Sequence, residues 1–276
     1  MKPSAKSKLV NAELTMKTLF IFGGDSRIGC AIKHFNRYNC DIRVLASTRR
    51  RETEHGEFHF ELNANSPYPA LKAGDEALIC FGLTNIGFCE ANKELAWNIN
   101  VSSTLHLIKH LYDAGVHVCY LSSSSVFEGR TTACSITSSK TPKSLYAKTK
   151  AAVEHKICSD YLSNTSILRM PKVTGTGWSL LDKWRGEYHS AGLVRPFSNR
   201  YIYPIGIEKI CSKISILFRE KRLGVLHVNG GQKISFSTLC LQNASSLGID
   251  HKKIQPTKDT DWKRGLMQTP NLLPNF

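Results

Sequence analysis

A tyrosine and a lysine lie four residues apart in a segment with helical character, Tyr146–Lys150 (YAKTK). This spacing places Tyr146 and Lys150 one turn apart on one face of a helix. A free tyrosine has a pKa near ~10 and exchanges protons poorly at neutral pH, whereas a lysine one turn away stabilises the phenolate. We therefore predict acid–base chemistry for this pair, with the pKa of Tyr146 brought towards neutrality, although any helix can carry this spacing by chance.

Four serines, Ser122–Ser125, close the apolar run Val116–Leu121 (VHVCYL). A hydroxyl group at the end of a buried strand is suited to hydrogen-bond the carbonyl or alcohol oxygen of a substrate. The alternative is a polar loop with no chemistry. The serines and the tyrosine–lysine pair occur in this order after a glycine-rich turn near the start of the chain. This combination is far less probable by chance than either feature alone, and it favours a catalytic site.

That turn, Gly23–Gly29 (GGDSRIG), separates the strand candidate Lys17–Phe22 from a helical segment. A helix N-terminus exposes unpaired N–H groups, and glycines let a pyrophosphate approach the backbone. The spacing is G-x-x-S-x-x-G, with a serine in place of the middle glycine, which narrows the available room. It predicts a dinucleotide site, whose alternative is a turn without a ligand; the candidate cofactor residues here are Gly23, Asp25, Ser26, Arg27, Ile28 and Gly29.

The second strand candidate, Asp41–Ala46, is followed by the arginine-rich segment Ser47–Arg51 (STRRR). An acid at this position would bind the ribose hydroxyls of NAD, whereas an arginine accommodates the 2′-phosphate of NADP. No acid occurs between Ser47 and Glu52. We therefore expect NADP(H) to be preferred, with Arg49 as the phosphate ligand and NAD(H) as the alternative cofactor. The other interpretation is a solvated run of arginines opening a loop.

The elements that must position these residues alternate between strand and helix. The strand candidates are Lys17–Phe22, Asp41–Ala46, Glu57–Leu62, Ala77–Phe81, Val116–Leu121 and Thr165–Arg169, and the helix candidates are Ile28–Tyr38, Glu90–Ala114 and Tyr146–Tyr161. Such alternation is typical of βαβ units, which form a parallel sheet covered by helices on both faces. The predicted fold class is α/β, a Rossmann-type doubly wound parallel sheet.

After Pro171 the pattern loosens, and glycines and prolines leave no long helix or strand expected before Ile207–Glu220. A short strand, Gly224–Val228, and a last helix, Phe236–Leu247, follow. We expect a basic N-terminal tail at 1–16, a dinucleotide-binding domain at 17–173 and a small substrate-binding subdomain at 174–276. The prediction allows one or more strands of the segment 174–276 to pair with the sheet of the dinucleotide-binding domain.

Composition narrows the protein class. Hydrophobic residues make up 41% of the 276 residues and charged residues 21%, which is ordinary for a protein with a packed core. No run reaches the ~18–20 apolar residues of a membrane span, and no apolar segment follows the basic N-terminus as in a signal peptide. Nine cysteines are scattered without a CxxC pair. This favours reduced thiols in the cytoplasm, with no metal site.

The charge balance is strongly basic. There are 37 lysines and arginines against 22 acids, a net charge of +15. The cations are dispersed, and there is no basic helix stripe with interleaved aromatics and no nucleic-acid-binding motif. A small phosphorylated ligand therefore fits better than nucleic acid.

In chain order these motifs resemble those of the extended short-chain dehydrogenase/reductases, the epimerase/dehydratase family of nucleotide-sugar enzymes. Besides the glycine loop, the matching segments are Asn98–Val101 with Thr104, Ser122–Gly129, Tyr146 with Lys150, and Leu168–Val173. Leu62-Asn63 lies where the family often has an aspartate that contacts adenine, so that contact is altered here. Within that family the dTDP-4-dehydrorhamnose reductase-like branch is the most similar. Its features here are Phe88-Cys89-Glu90, the strand Gly224–Gly230 (GVLHVNG) and a short second domain.

The resemblance implies specific roles. Ser123, Tyr146 and Lys150 match the catalytic set. Further cofactor contacts fall on Asn63, Phe81, Gly82, Pro171 and Val173, in addition to Tyr146 and Lys150. Ser124, next to Ser123, is a candidate substrate contact. Independently of the resemblance, Arg185 and Arg195 are candidate contacts for a substrate pyrophosphate, with a solvated surface as the alternative. Departures include Ser26, the Phe81–Leu83 turn in place of alanines, and the absence of a carboxyl acid beside Ser123, which argues against a dehydratase.

The implied function is an NADP(H)-dependent reductase of a 4-keto nucleotide-sugar, in polysaccharide biosynthesis in the cytoplasm. One alternative is a nucleotide-sugar 4-epimerase that holds NAD tightly. Another is a non-catalytic NADP-binding regulator, which the complete catalytic set argues against. The resemblance also raises the hypothesis of a homodimer paired through the helices Glu90–Ala114 and Tyr146–Tyr161.

Overall fold

A parallel seven-stranded sheet forms the centre of the protein. The computed structural model describes residues 16–36, 41–62, 66–130, 132–175, 177–260 and 270–276. The strands are β1 (Lys17–Phe22), β2 (Ile42–Thr48), β3 (Glu57–His59), β4 (Glu76–Ile79), β5 (His117–Ser123), β6 (Thr165–Met170), β7 (Val173–Thr174), β8 (Tyr201–Ile202), β9 (Ile205–Gly206), β10 (Gly224–His227) and β11 (Ile234–Ser235). The central sheet has the order β10-β6-β5-β4-β1-β2-β3. The order of the strands reverses between β1 and β4, as in a Rossmann fold, and this confirms the predicted fold class.

Helices cover both faces of this sheet. The helices of the described residues are α1 (Arg27–Phe35), α2 (Ile86–Ala91), α3 (Lys93–Trp97), α4 (Thr104–Asp113), α5 (Leu145–Asp160), α6 (Ser179–Ala191), α7 (Ile207–Arg219) and α8 (Phe236–Leu247). One hydrophobic cluster joins α1 and α7 to the sheet through residues such as Ile32 and Ile214. A second joins α4 and α5 through Leu107 and Val153. β4 is buried along its whole length, as expected for a strand covered on both sides.

The predicted single helix Glu90–Ala114 is divided in the structure. α2 begins earlier, at Ile86, and Asn92 interrupts the helix with φ −127° and ψ 61°. A π-helix, Asn98–Ser103, then separates α3 from α4. Because a π-turn adds a residue, the face that meets the core shifts. Leu95, in α3 before this turn, is 43% exposed.

The expectation that no long helix precedes Ile207 is also wrong. α6 has 13 residues and ends at Gly192, whose left-handed φ of 67° is typical of a helix C-terminus. Its glycine and polar residues weaken the local signal, and packing compensates: Trp184 is buried and makes an edge contact with Phe236 of α8. Tertiary contact rather than propensity specifies this helix.

The chain after residue 173 contributes to two packed regions. α7 and β10 return to the central sheet, where β10 pairs with β6. α6, α8, β8 and β11 surround a separate hydrophobic cluster. Among the described residues, no helix combines the length and apolar character needed to cross a membrane.

Candidate functional site

The glycine loop turns directly after β1, at the carboxyl edge of the sheet. Gly23 has a φ of 101°, and a Cβ there would lie 2.7 Å from the backbone nitrogen of Phe81. A Cβ at Gly24 would lie 2.5 Å from the Ser47 carbonyl oxygen, and one at Gly29 would lie 2.2 Å from the Gly23 carbonyl oxygen. All three positions therefore require glycine, which is how a tight turn before a helix N-terminus is built.

Ser26, the residue that replaces a glycine, is the N-cap of α1. Its side-chain oxygen accepts a hydrogen bond from the Gly29 N–H at 3.0 Å, and its hydroxyl donates to the Cys80 sulfur at 3.4 Å. The side chain thus bonds to the helix and to the end of β4. Burial raises the pKa of the Cys80 thiol to about 12, so this thiol stays protonated.

Asp25 and Arg49 meet at the end of β2. The Asp25 carboxylate accepts hydrogen bonds from the Thr48 hydroxyl at 3.2 Å and the Arg49 N–H at 3.1 Å. The Arg49 side chain is exposed, whereas Arg50 forms an ion pair with Glu57 at 2.7 Å. Arg49 is therefore open to a ligand, but a loop carboxylate lies beside it, in the region where an acid would favour NAD.

The remaining cofactor candidates line the same edge. Phe81 and Gly82 follow β4, and Gly82 has φ 141° with a hypothetical Cβ 3.1 Å from the Asn100 side-chain oxygen. Pro171 is buried after β6, and the Val173 carbonyl accepts a hydrogen bond from Arg27 at 3.3 Å. Asn63 lies outside the described residues.

Two carboxylates fix the N-terminus of α5, the helix that carries Tyr146. Buried Glu128 accepts hydrogen bonds from the backbone N–H groups of Lys143 (2.9 Å) and Ser144 (2.7 Å), and from the Ser144 hydroxyl (2.6 Å). Glu90 accepts from the Leu145 N–H at 2.7 Å. Negative charge at a helix N-terminus is favourable. These contacts hold the first turn of α5, and hence the phenol, in place.

Ser123, Tyr146 and Lys150 come together at the ends of β5 and α5. Burial raises the pKa of Tyr146 to about 12, and an opposing interaction with the Ser123 hydroxyl does not offset it. The Lys150 ammonium donates to the Leu121 carbonyl at 2.9 Å and lies 6.0 Å from the Tyr146 ring centroid. The expectation of a tyrosine pKa near neutrality is therefore wrong for this arrangement, because burial dominates. Tyr146 is a protonated phenol at neutral pH.

The four serines have different surroundings. Ser123 caps a 3₁₀ turn by accepting the Ser125 N–H at 3.1 Å. Ser122 is buried and donates to the Glu154 carboxylate at 2.6 Å. Ser124 is only 2% exposed, which leaves little of it for a substrate. Of these residues, Ser123 alone interacts with Tyr146 in the described contacts.

A cavity of about 590 Å³ lies between α6 and α8. Trp178, Leu181, Asp182, Arg185 and Asn243 are part of its lining. Arg185 forms an ion pair with Asp182 at 3.3 Å, whereas Arg195 is exposed and does not line the cavity. The cavity wall contains neither Ser123 nor Tyr146. Of the two arginines, Arg185 lines this cavity and Arg195 does not.

Sequence reasoning missed three structural contributors to the site. Glu128 and Glu154 are buried acids; Glu128 lies within the matched segment Ser122–Gly129, and Glu154 lies within the helix candidate Tyr146–Tyr161. Asn100 is the third: its side chain bonds both the N–H (2.8 Å) and the carbonyl (2.9 Å) of Leu83. The signal that could have found Glu154 is its spacing, four residues after Lys150 on the same helix face.

Comparisons with known proteins agree with this architecture. The family model described as the RmlD substrate binding domain matches residues 16–270. A dTDP-4-dehydrorhamnose reductase from Clostridium acetobutylicum is similar with a TM-score of 0.76 and 17% identity, over 94% of this chain and 90% of that one. An ADP-L-glycero-D-manno-heptose-6-epimerase from Helicobacter pylori has a TM-score of 0.74 and 17% identity, over 95% and 89%.

A dTDP-glucose 4,6-dehydratase from Streptomyces venezuelae, solved with NAD bound, has a TM-score of 0.74 and 17% identity, over 93% of this chain and 88% of that one. No curated protein matches the sequence. At these identities the similar structures establish the fold, while the family model covers most of the chain. The protein therefore belongs to the RmlD substrate-binding-domain family of extended short-chain dehydrogenase/reductases, as its motifs predicted.

Proposed function

We propose that this protein is an NADP(H)-dependent reductase that acts on the keto group of a 4-keto nucleotide-sugar. The observation that carries the proposal is the meeting of Ser123 and Tyr146 at the carboxyl edge of the sheet, with Lys150 buried one turn further along α5. The glycine loop opens at the same edge, after β1. This is where ligands bind in open parallel sheets.

The loop fits a dinucleotide. A side chain at Gly23, Gly24 or Gly29 would collide with neighbouring atoms, so these positions have no side chain and the backbone where α1 begins is accessible. Bare backbone at a helix N-terminus is the arrangement that receives a pyrophosphate. Arg49, exposed at the end of β2, is the proposed ligand of a 2′-phosphate.

When bound, the nicotinamide supplies the hydride for reduction of a carbonyl carbon. Tyr146 is protonated at neutral pH and donates its proton to the oxygen that becomes an alkoxide. Ser123 hydrogen-bonds that oxygen. Lys150, a cation below its pKa of about 8, stabilises the phenolate left behind and binds the ribose.

The proposed acid is tested by substituting Tyr146→Phe, which removes one oxygen. We expect turnover of 4-keto nucleotide-sugars to be lost while NADPH binding, followed by fluorescence, changes little. The matched control is Tyr188→Phe on α6, which leaves the phenol at the site intact. Preserved turnover in Tyr146→Phe would contradict the assignment.

A nucleotide-sugar 4-epimerase is the second candidate. Asp25 favours it, because a carboxylate bonded to the end of β2 suits the ribose hydroxyls of NAD. Such an enzyme retains its cofactor through the cycle. Release of NAD from the purified, denatured protein would support the epimerase, whereas free exchange of NADPH supports the reductase.

A further inference from the structure

A row of polar side chains crosses three neighbouring strands behind the candidate site. Ser122 of β5 is in register with Arg169 of β6, which is in register with His227 of β10. Side chains at paired positions of parallel strands lie on the same face. All three are nearly inaccessible, with exposed fractions of 3%, 3% and 0%. Buried polar rows of this kind require partners.

The partner is Glu154 of α5, whose side chain is completely buried. Its carboxylate accepts from the Ser122 hydroxyl at 2.6 Å, and from the Nε and Nη2 atoms of Arg169 at 3.0 and 2.8 Å. The Lys140 ammonium donates a fourth hydrogen bond, at 3.1 Å. Burial raises the pKa of Glu154, but these hydrogen bonds and charges outweigh it and hold the pKa below its usual range.

The row ends in an uncharged histidine. An Arg169 nitrogen lies 3.1 Å from His227 Nε2, and because arginine can only donate, Nε2 must accept. The proton of the neutral ring is therefore on Nδ1. Burial, together with Arg169, lowers the pKa of His227 to about 4. The net charge around Glu154 is thus set by Arg169, Lys140 and Lys150.

Glu154 follows Lys150 by one helical turn on the same face of α5. The groups that face Lys150 are Glu154 and Tyr146 of its own helix, Tyr120 of β5, and Cys80 after β4. Tyr120 and Cys80 both have their pKa raised by burial and are neutral. Glu154 is accordingly the anion that acts on the Lys150 ammonium, in an environment that lowers the lysine's pKa to about 8 by burial.

We propose that Glu154 is a positioning residue that keeps Lys150 cationic at neutral pH and anchors the strand end carrying Ser123. The catalytic consequence of this inference rests on the proposed function. The property that is tested, however, is the protonation of Lys150, which does not depend on that function. Ser122 directly precedes Ser123 and donates a hydrogen bond to Glu154. This hydrogen bond connects the strand end that carries Ser123 to α5, the helix that carries Tyr146 and Lys150. A structural role alone would predict instability and no change in the protonation of Lys150.

The test is direct titration of the Lys150 amine by NMR, with ¹⁵N-labelled lysine and the Lys150→Met variant for assignment. In Glu154→Gln we expect the pKa of Lys150 to fall by about one pH unit, because Glu154 raises the Lys150 pKa and the loss of a neighbouring opposite charge shifts a pKa by ~1–3 units. Lys140→Gln is the matched control, since it removes a neighbour of the same carboxylate but keeps the anion. Glu154→Asp, which retains the charge, should recover most of the shift.

Glu154→Gln leaves Arg169 buried without its anion, which is strongly destabilising. If this variant does not fold, Glu154→Gln combined with Arg169→Met removes both charges. Because loss of the Arg169 cation partly offsets loss of the anion, the expected fall in the Lys150 pKa is then smaller. An unchanged Lys150 pKa in whichever of these variants folds would overturn the inference. Because the titration needs neither cofactor nor substrate, its result is independent of whether the protein is a reductase.

Discussion

Cofactor choice at the end of β2 depends on single residues with opposing preferences. Arg49 is exposed with no ion-pair partner among the described contacts, while the Asp25 carboxylate accepts its backbone N–H. We expect Arg49→Ala to weaken NADPH binding roughly tenfold, the value of one exposed charge-assisted contact, and to leave NADH binding unchanged. Fluorescence titration with both nucleotides measures this directly.

Arg51→Ala is the matched control, because Arg51 is an exposed arginine of the same run. An equal loss of NADPH affinity in both variants would mean that Arg49 acts through general charge only. An equal loss of affinity for NADPH and NADH in Arg49→Ala would show that Arg49 does not bind the 2′-phosphate. Asp25→Asn should move selectivity towards NADPH, since it deletes the negative charge beside that phosphate.

Lys150 is a residue whose function opposes stability. Burial lowers its pKa from 10.5 to about 8, so between these values the unfolded chain binds more protons than the folded one, and the free energy of unfolding rises with pH. We expect Lys150→Met to be more stable than wild type at pH 7, by on the order of 1–3 kcal/mol. The advantage should shrink above pH 8. Urea unfolding at neutral and alkaline pH measures both; equal stability at pH 7 would contradict a buried cation.

At the level of elements, α6 offers a matched pair of glycines. Gly186 lies mid-helix, and a Cβ added there has nothing within 4 Å, whereas Gly192 ends the helix with φ 67°. Gly186→Ala should therefore stabilise the protein by about 0.5–1 kcal/mol through helix propensity, and Gly192→Ala should destabilise it. Thermal unfolding of the two variants tests this. The same sign for both would show that α6 does not persist as described.

The same elements show how far sequence reasoning reaches. Strands such as β4 were predictable because burial on both faces leaves a continuous apolar run. The division of Glu90–Ala114 was not, because the turn at Asn92 and the π-helix leave an apolar pattern that still reads as one helix. Tyr146 and Lys150 were found from their spacing, while the raised tyrosine pKa follows from burial that only the packed structure reveals.

For the whole molecule, the net charge of +15 is spread over a surface where many cations already have acidic partners, including Lys33 with Glu57 and Lys156 with Asp160. Such a field attracts small polyanions without forming a track for a nucleic acid backbone. We expect NADPH to associate more slowly as ionic strength rises, because the Debye length falls to ~8 Å near physiological salt. Stopped-flow fluorescence over a salt series measures the rate.

Duplex DNA is the comparison ligand in that salt series. A protein that neutralises several phosphates loses affinity steeply with salt, whereas dispersed cations give weak binding at every salt concentration. Weak DNA binding together with salt-dependent NADPH association is the outcome that a small-ligand enzyme requires. Tight, steeply salt-dependent DNA binding would instead support the non-catalytic regulator, because the positive charge would then bind a nucleic acid, which the proposed reduction does not require.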